Sequence, residues 1–418
     1  MKQLLTSFVA LIKKNWLLLS VFLLAFLLRI IWLETLPATF FVDEVLSGYL
    51  GRYLWLNGQD LYGNVRPWLY FNKFGDYYIL LPMYLDGLST FIFGVTRFAT
   101  RFPTALIGAL AVFPLYGIAV LAFQKRAPAL LSAGLLALSP WHIVLSRATT
   151  ESIIEMTILL SMVWMLLLFS KKRSAWSLCI AVALSLLSYL IYHTARILVP
   201  LIWIGYLLCF GQTWLKQKKL ALLLVALCIG VLGLTGFVSQ TEWGRGRFEQ
   251  TSLFSTQSGV AIRMNEMTYN LGSDSVFIAR IFHNKIVGFS REFINQYLSY
   301  FDPSFLWSAD SWLKTRYAVS EMGPVFLSVV VMLLAWLLPS QNRVKTQHLT
   351  LLFIGWLLLI SPLPTSLTVI EAPNVRRSVF MLVPLLLLAG AGWYRAWGVR
   401  WKTLSLGLLI SLVLVGET

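Results

Sequence analysis

Charge is scarce in this chain, and acidic charge is scarcer still. Only 12% of the residues are charged, where a soluble domain carries about 25%. Lys and Arg number 34 against 18 Asp and Glu. Cysteine is reduced to Cys179, Cys209 and Cys228, each inside an apolar run and none at metal-ligand spacing. A disulfide framework or a zinc site is not indicated. The four histidines make no HExxH pattern. A Walker A loop is missing, and no dinucleotide glycine fingerprint stands in a suitable context.

Apolar sequence fills the space that charge leaves. Of the 418 residues 58% are hydrophobic, and the mean hydropathy is +0.74. No single water-soluble core uses so much. Runs of the length that crosses a bilayer recur along the chain. They fall at 16–33, 101–123, 127–145, 151–170, 175–192, 197–215, 220–239, 323–339, 349–369, 378–394 and 403–416. This pattern predicts an all-α, polytopic transmembrane bundle of about eleven spans. The first run follows Lys13-Lys14 without a convincing cleavage site and reads as an uncleaved span.

The basic residues come in short clusters between alternate runs: Lys125-Arg126, Lys171 to Arg173, Lys216 to Lys219, Arg343 with Lys345, and Arg395 to Lys402. With the N-terminal lysines they fall on one side, which the positive-inside rule makes cytoplasmic. That side collects the whole +16 excess and no acid. All the acids fall on the outer side or at outer span ends. The clustering assigns the net charge to membrane topology and not to nucleic-acid binding.

Two outer segments are too long for turns, 34–100 and 240–322. In the first, Asp43-Glu44 opens a helical stripe through Leu46, Tyr49, Leu50, Tyr53 and Leu54, and Asn57-Gly58 supplies a stop. A second apolar stripe runs from about Tyr77 to Phe93. Both suit helices lying in the membrane interface, or packing on the bundle. Asp43-Glu44 reads equally as a plain helix start and as chemistry.

Arg97, Arg101, Arg147, Arg196, Arg376 and Arg377 stand at or near outer span ends, against the positive-inside tendency. Glu34, Asp86, Glu151 or Glu371 are available to pair with some of them. The other reading is an external anion, since the arginine fork suits phosphate oxygens. A carboxylate facing such cations has the parts for glycosyl transfer from a lipid-linked phosphate sugar. The cations stabilise the leaving phosphate, and the carboxylate takes a proton from the acceptor. Aromatics, 14% of the chain, include Trp141, Tyr192 and Trp307 near the outer interface. Most of these read as an aromatic belt.

These pieces resemble the GT-C superfamily of integral membrane glycosyltransferases. They are most similar to the dolichyl-phosphate-mannose protein mannosyltransferase-like branch (glycosyltransferase family 39) and the aminoarabinose transferases that modify lipid A. The resemblance rests on FFVDEVLSGYLGRYLWLNGQDLYGN, GVTRFATRFPTALIGALAVFPLYGIAVLAF, SPWHIVLSRATTESIIEM, SYLIYHTARILVP and PNVRRSVFMLVPLLLLAGAGW, in that order. It implies that Asp43 is the catalytic base and Glu44 its partner. Lys73 stands where relatives often have a Lys-Pro pair near the donor phosphate, with Phe74 in place of the proline. Arg101, Arg147 and Arg196 match recurrent outer-end arginines. Glu151, where many relatives have aspartate, is assigned with Tyr192 and His193 to the acceptor or to support. A divalent metal varies among relatives, so no metal or other cofactor is assigned. The 240–322 loop matches poorly.

The expected organisation is a GT-C module over 1–239 with its catalytic first outer loop at 34–100, a long outer loop at 240–322, and C-terminal spans over 323–418. The chain stops at Thr418 after an apolar run, which leaves open a short protein or a further domain. The expected activity is inverting transfer from a polyprenyl-phosphate sugar to a hydroxyl or amine of a protein, lipid or polysaccharide. It would occur at the outer face of the cell membrane, with the N-terminus cytoplasmic. Asp43 is the base, and Lys73, Arg101, Arg147, Arg196, Arg376 and Arg377 are the phosphate candidates. The alternative is a transporter or lipid flippase, for which Pro114 and Pro200 are the visible breaks.

Overall fold

In the computed structural model, the described residues are 2–65, 67, 70–73, 76–213, 218–241, 245, 251–255, 259–270, 277, 281–282, 284–308, 323–337, 348–368 and 373–397. The expected last span at 403–416, together with Glu371, Arg343 and Lys345, lies outside them.

The protein is all-α apart from one short hairpin among these residues. Helix α1 spans Lys2–Ile30 and kinks at Asn15, whose φ is −119°. Helix α2 is Val42–Asn57. Strands β1 (Tyr70–Lys73) and β2 (Asp76–Ile79) pair antiparallel, with Lys73 opposite Asp76. Then come α3 (Leu80–Phe93), α4 (Arg97–Leu110), α5 (Val112–Phe123), α6 (Arg126–Leu138), α7 (Pro140–Ser146), α8 (Glu151–Lys172), α9 (Ala175–Ser188), α10 (Ala195–Phe210) and α11 (Lys218–Gln240). After the long loop segment, which includes α12 (Val260–Asn270), α13 (Lys285–Ser299) and α14 (Pro303–Trp307), the bundle resumes. Its remaining helices are α15 (Leu327–Leu334), α16 (His348–Ile360), α17 (Leu363–Ser366) and α18 (Leu382–Ala396).

Among the described residues, four helical stretches are long and apolar enough to cross a membrane: Arg97–Phe123, Glu151–Lys172, His348–Ser366 and Val379–Ala396. The bent pair α6–α7 makes a fifth if counted as one span, and five apolar helices are shorter. The main core lies among α5, α6, α8, α10, α16 and α18. Trp141, placed by its sequence in an interfacial belt, is instead fully buried there, and its indole N–H donates to the Val375 carbonyl at 2.8 Å.

Helix α2 begins and ends as its sequence dictates. Glu44 reaches back to the Phe41 N–H at 3.2 Å, satisfying a donor left over at the helix start. Gly58 closes the helix in the left-handed region at φ 66°, where a side chain is strained. The second stripe is only partly helical: its first residues form β2, and α3 starts at Leu80. α2 and α3 pack closely because Gly51 faces Gly87. A Cβ on Gly51 would sit 2.1 Å from the Met83 carbonyl oxygen.

A break separates α6 from α7, which are bent by 53°. Pro140 cannot donate the bond that would continue α6. Arg29 of α1, fully buried, seals the freed carbonyls of Leu136 and Ala137, both at 3.2 Å, and donates to His142 Nδ1 at 2.8 Å. A buried guanidinium in an apolar helix is tolerated only with such partners.

Candidate functional site

Asp43 and Glu44 occupy the first turn of α2, but their surroundings differ. Glu44 is 2% exposed. Its carboxylate takes the Arg101 fork through Nε at 2.9 Å and Nη2 at 3.0 Å, and the Thr149 N–H at 3.0 Å. Asp43, one residue earlier, is half-buried. The peptide dipoles of α2 favour negative charge at both positions.

Arg101 is fully buried, and all five of its N–H groups are spent. Beyond Glu44 they bond the carbonyls of Leu33 at 3.2 Å, Pro37 at 3.0 Å and Thr39 at 2.8 Å. The phosphate-binding expectation for Arg101 therefore meets a residue with no donor to offer. What Arg101 does instead is tie the 33–39 turn, α2 and α4 together. Arg147 is engaged in a similar way, donating to Leu28 at 2.7 Å, Ile31 at 2.8 Å and Leu36 at 3.3 Å around the end of α1. Glu34 accepts from the Phe98 N–H at 2.6 Å and so caps α4.

The remaining arginines gather elsewhere. Asn374 accepts the backbone N–H groups of Arg376 and Arg377, both at 3.0 Å, and this turn aims the two side chains apart. Arg376 pairs with Glu151 and lies over the Tyr192 ring, 5.5 Å from its centroid. Arg377 donates to Thr368 Oγ1 at 2.9 Å and faces a cavity of about 460 Å³. Arg196, Arg245, Tyr192 and His193 line the same cavity. Its remaining wall includes Thr235 and Ser239 of α11, Phe254 and Leu367, so it combines hydroxyls with apolar surface.

Residues 149–151 connect the two regions. Glu44 holds the Thr149 N–H, and Glu151 two residues later holds Arg376. Lys73 stands in β1. The sequence assigned no role to Arg245 or to Asn374, whose spacing to Arg376-Arg377 is a legible turn signal. It also offered Asp86 only as a counter-ion for the arginines. Asp86 is fully buried on α3 and accepts the Ser47 hydroxyl of α2 at 2.5 Å. Burial pushes its carboxyl well above the usual carboxylate range, against the Ser47 hydrogen bond and with the help of Glu151 and Glu44. Among the described residues no group of three or more His, Cys, Asp or Glu is arranged to hold a metal ion.

The fold is that of the GT-C membrane glycosyltransferases. Residues 80–233 match the model of the dolichyl-phosphate-mannose-protein mannosyltransferase family, less than half of the chain. That match contains Arg101, Arg147, Glu151, Tyr192, His193 and Arg196, and starts after Asp43. Among solved structures, ArnT from Cupriavidus metallidurans bound to undecaprenyl phosphate is similar over 97% of this chain at TM-score 0.56 and 14% identity. The Archaeoglobus fulgidus oligosaccharyltransferase AglB, in complex with an inhibitory peptide and a dolichol-phosphate, covers 97% at TM-score 0.55 and 16% identity. The chain spans 64% of the length of that ArnT chain and 55% of that of AglB. No curated protein matches its sequence. The GT-C resemblance read from the sequence thus holds for the fold and over residues 80–233.

Proposed function

We propose that this chain is an inverting glycosyltransferase that takes a sugar from a polyprenyl-phosphate carrier. The observation that carries the reading is the 149–151 link: one short turn joins the helix that presents Asp43 to the Glu151–Arg376 pair beside a cavity lined by three arginines. A base and a cationic cavity are held in one framework. The carriers named with the two structural relatives, undecaprenyl phosphate and dolichol-phosphate, support the same donor class.

Asp43 accepts the proton of an acceptor hydroxyl or amine. The freed oxygen or nitrogen forms the new bond at C1 of the sugar, and the C1–O bond to the phosphate breaks on the opposite face. The bonding electrons leave with the phosphate. Arg196, Arg245 and Arg377 stabilise that charge, and Lys73 remains a further candidate. Glu44, Arg101 and Arg147 position the base and the turns around it. Tyr192 and His193 line the acceptor or sugar side, and Glu151 orients Arg376. The acceptor is a protein, lipid or polysaccharide at the outer face of the cell membrane. The basic clusters at Lys171 to Arg173, at the other end of α8 from Glu151, support that orientation.

The transport reading needs a broken helix at mid-membrane. The α6–α7 break provides one, but its carbonyls are taken by Arg29. Proteoliposomes given a radiolabelled polyprenyl-phosphate sugar and membrane extract separate the two readings. Label appearing in a new glycosidic bond supports transfer. Label crossing the bilayer with no new bond supports transport and ends the transferase reading.

A further inference from the structure

Helix α8 carries a second acid, Glu155, which the proposed reaction does not use. It is 3% exposed and lies one turn beyond Glu151, ~6 Å further along α8 and on the same face. A carboxyl group is costly to bury without partners. An ionisable residue held inside a membrane-spanning helix marks a functional position, and its partner identifies the task. That partner is Thr194, whose hydroxyl donates to Glu155 Oε2. The N–H of Ala195, the first residue of α10, also faces the carboxyl group. Thr194 stands just before α10, where a threonine ordinarily accepts from its own helix and caps it. It makes no such cap. Its hydroxyl is committed to α8 instead.

The segment held in this way walls the arginine-lined cavity. Between α9 and α10 the chain runs through turns and not as a continuous helix, so a side-chain tether has leverage on it. Tyr192, Thr194 and Arg196 all line the cavity. Acids four residues apart on α8 grip the segment at two points. Glu151 holds Arg376, which lies over the Tyr192 ring, and Glu155 holds Thr194. Arg196 is the second residue of α10. A slip of one residue at a helix start turns its side chains by about 100°, so the start of α10 decides where Arg196 stands.

We propose that Glu155 is a positioning residue for the lipid-linked donor: through the Thr194 hydroxyl it fixes the start of α10 and holds Arg196 at the cavity. The proposal rests on the transferase reading for the identity of the donor. Glu155 does not line the cavity itself and acts through Thr194, so its effect is on the grip of the carrier phosphate.

The test titrates full-length protein in detergent with undecaprenyl phosphate and measures kcat at saturating donor in proteoliposomes. Thr194→Val keeps the side-chain shape and removes the hydroxyl, while Thr194→Ser keeps the hydroxyl. Glu155→Leu removes the acceptor, while Glu155→Gln keeps an oxygen acceptor. Carrier binding is expected to weaken about tenfold in Thr194→Val and in Glu155→Leu, with kcat within about twofold of wild type. The double variant Glu155→Leu/Thr194→Val is expected to be no weaker than either single one. Thr194→Ser and Glu155→Gln are expected to bind as the wild type does. Wild-type affinity in Thr194→Val would overturn the proposal, and so would additive losses in the double variant. A loss that Thr194→Ser does not restore, or that follows a lowered unfolding midpoint, would mean a merely structural role and also overturn it. Failure of the transferase reading shows separately: wild-type protein then binds undecaprenyl phosphate yet forms no glycosidic bond, and the affinities still decide the role of Glu155. No binding by the wild type would overturn both.

Discussion

Glu44 and Arg101 form a two-pronged ion pair, at 2.9 and 3.0 Å, with Arg101 fully buried and Glu44 nearly so. They are 57 positions apart in the chain, and the pair sets where the first turn of α2 stands. Removing one partner strands a buried charge. Glu44→Ala is expected to cost about 3–5 kcal/mol of stability, seen as a lower thermal unfolding midpoint in detergent. Arg101→Lys is expected to be nearly as harmful, because an ammonium has three donors for five bonds. Glu44→Ala/Arg101→Ala should be less destabilised than the sum of the single losses.

The arginines of the cavity beside Tyr192 and His193 behave differently. Arg196→Gln and Arg377→Gln each remove a charge from the cavity wall. Each is expected to raise the KM for the lipid-linked donor roughly tenfold, with the unfolding midpoint close to that of the wild type. Donor titration in proteoliposomes measures it.

Asp86 provides a pH signature. Its folded pKa is raised, so between about pH 4, where an unfolded Asp titrates, and that raised value the folded state holds the proton that the unfolded state has lost. More protons bound in the folded state means stability falls as pH rises through this window. Asp86→Asn keeps an amide that can still accept from Ser47 and removes the titration. It is expected to be less pH-dependent than the wild type, with its relative stability rising as pH rises through the window. Unfolding midpoints across pH check this.

Gly51→Ala tests the contact between α2 and α3. The added Cβ meets backbone at 2.1 Å rather than a movable side chain. A loss of about 1–3 kcal/mol is expected, together with loss of transfer activity as α2 is pushed away from α3. The same unfolding measurement and the donor assay read both effects.

Much of the fold was legible in the sequence because a bilayer imposes lengths. Apolar runs marked the helices, and Asp43-Glu44 and Asn57-Gly58 marked the ends of α2. The pairings were not legible. Arg101 and Arg376 look alike as outer arginines, yet one is locked to Glu44 and the other meets Glu151 across 225 positions beside a cavity. Local pattern carries no information on which distant acid an arginine meets. The stripe from Tyr77 read as helix throughout because β2 is short and apolar, and short apolar runs do not distinguish strand from helix. The broken helix was also misplaced: Pro114 and Pro200 sit within helical turns, and the bend falls at Ser139-Pro140.

The central claim is that Asp43 removes the acceptor proton. The direct measurement compares the glycolipids and glycoproteins of a deletion strain with those of the same strain carrying wild-type protein or Asp43→Asn, by mass spectrometry. Asn matches the shape of Asp at a half-buried helix start, so the variant is expected to accumulate in the membrane normally. The account predicts that wild type restores the missing glycan, while Asp43→Asn, slowed by about 100-fold or more, does not. Full restoration by Asp43→Asn at equal protein level would contradict it.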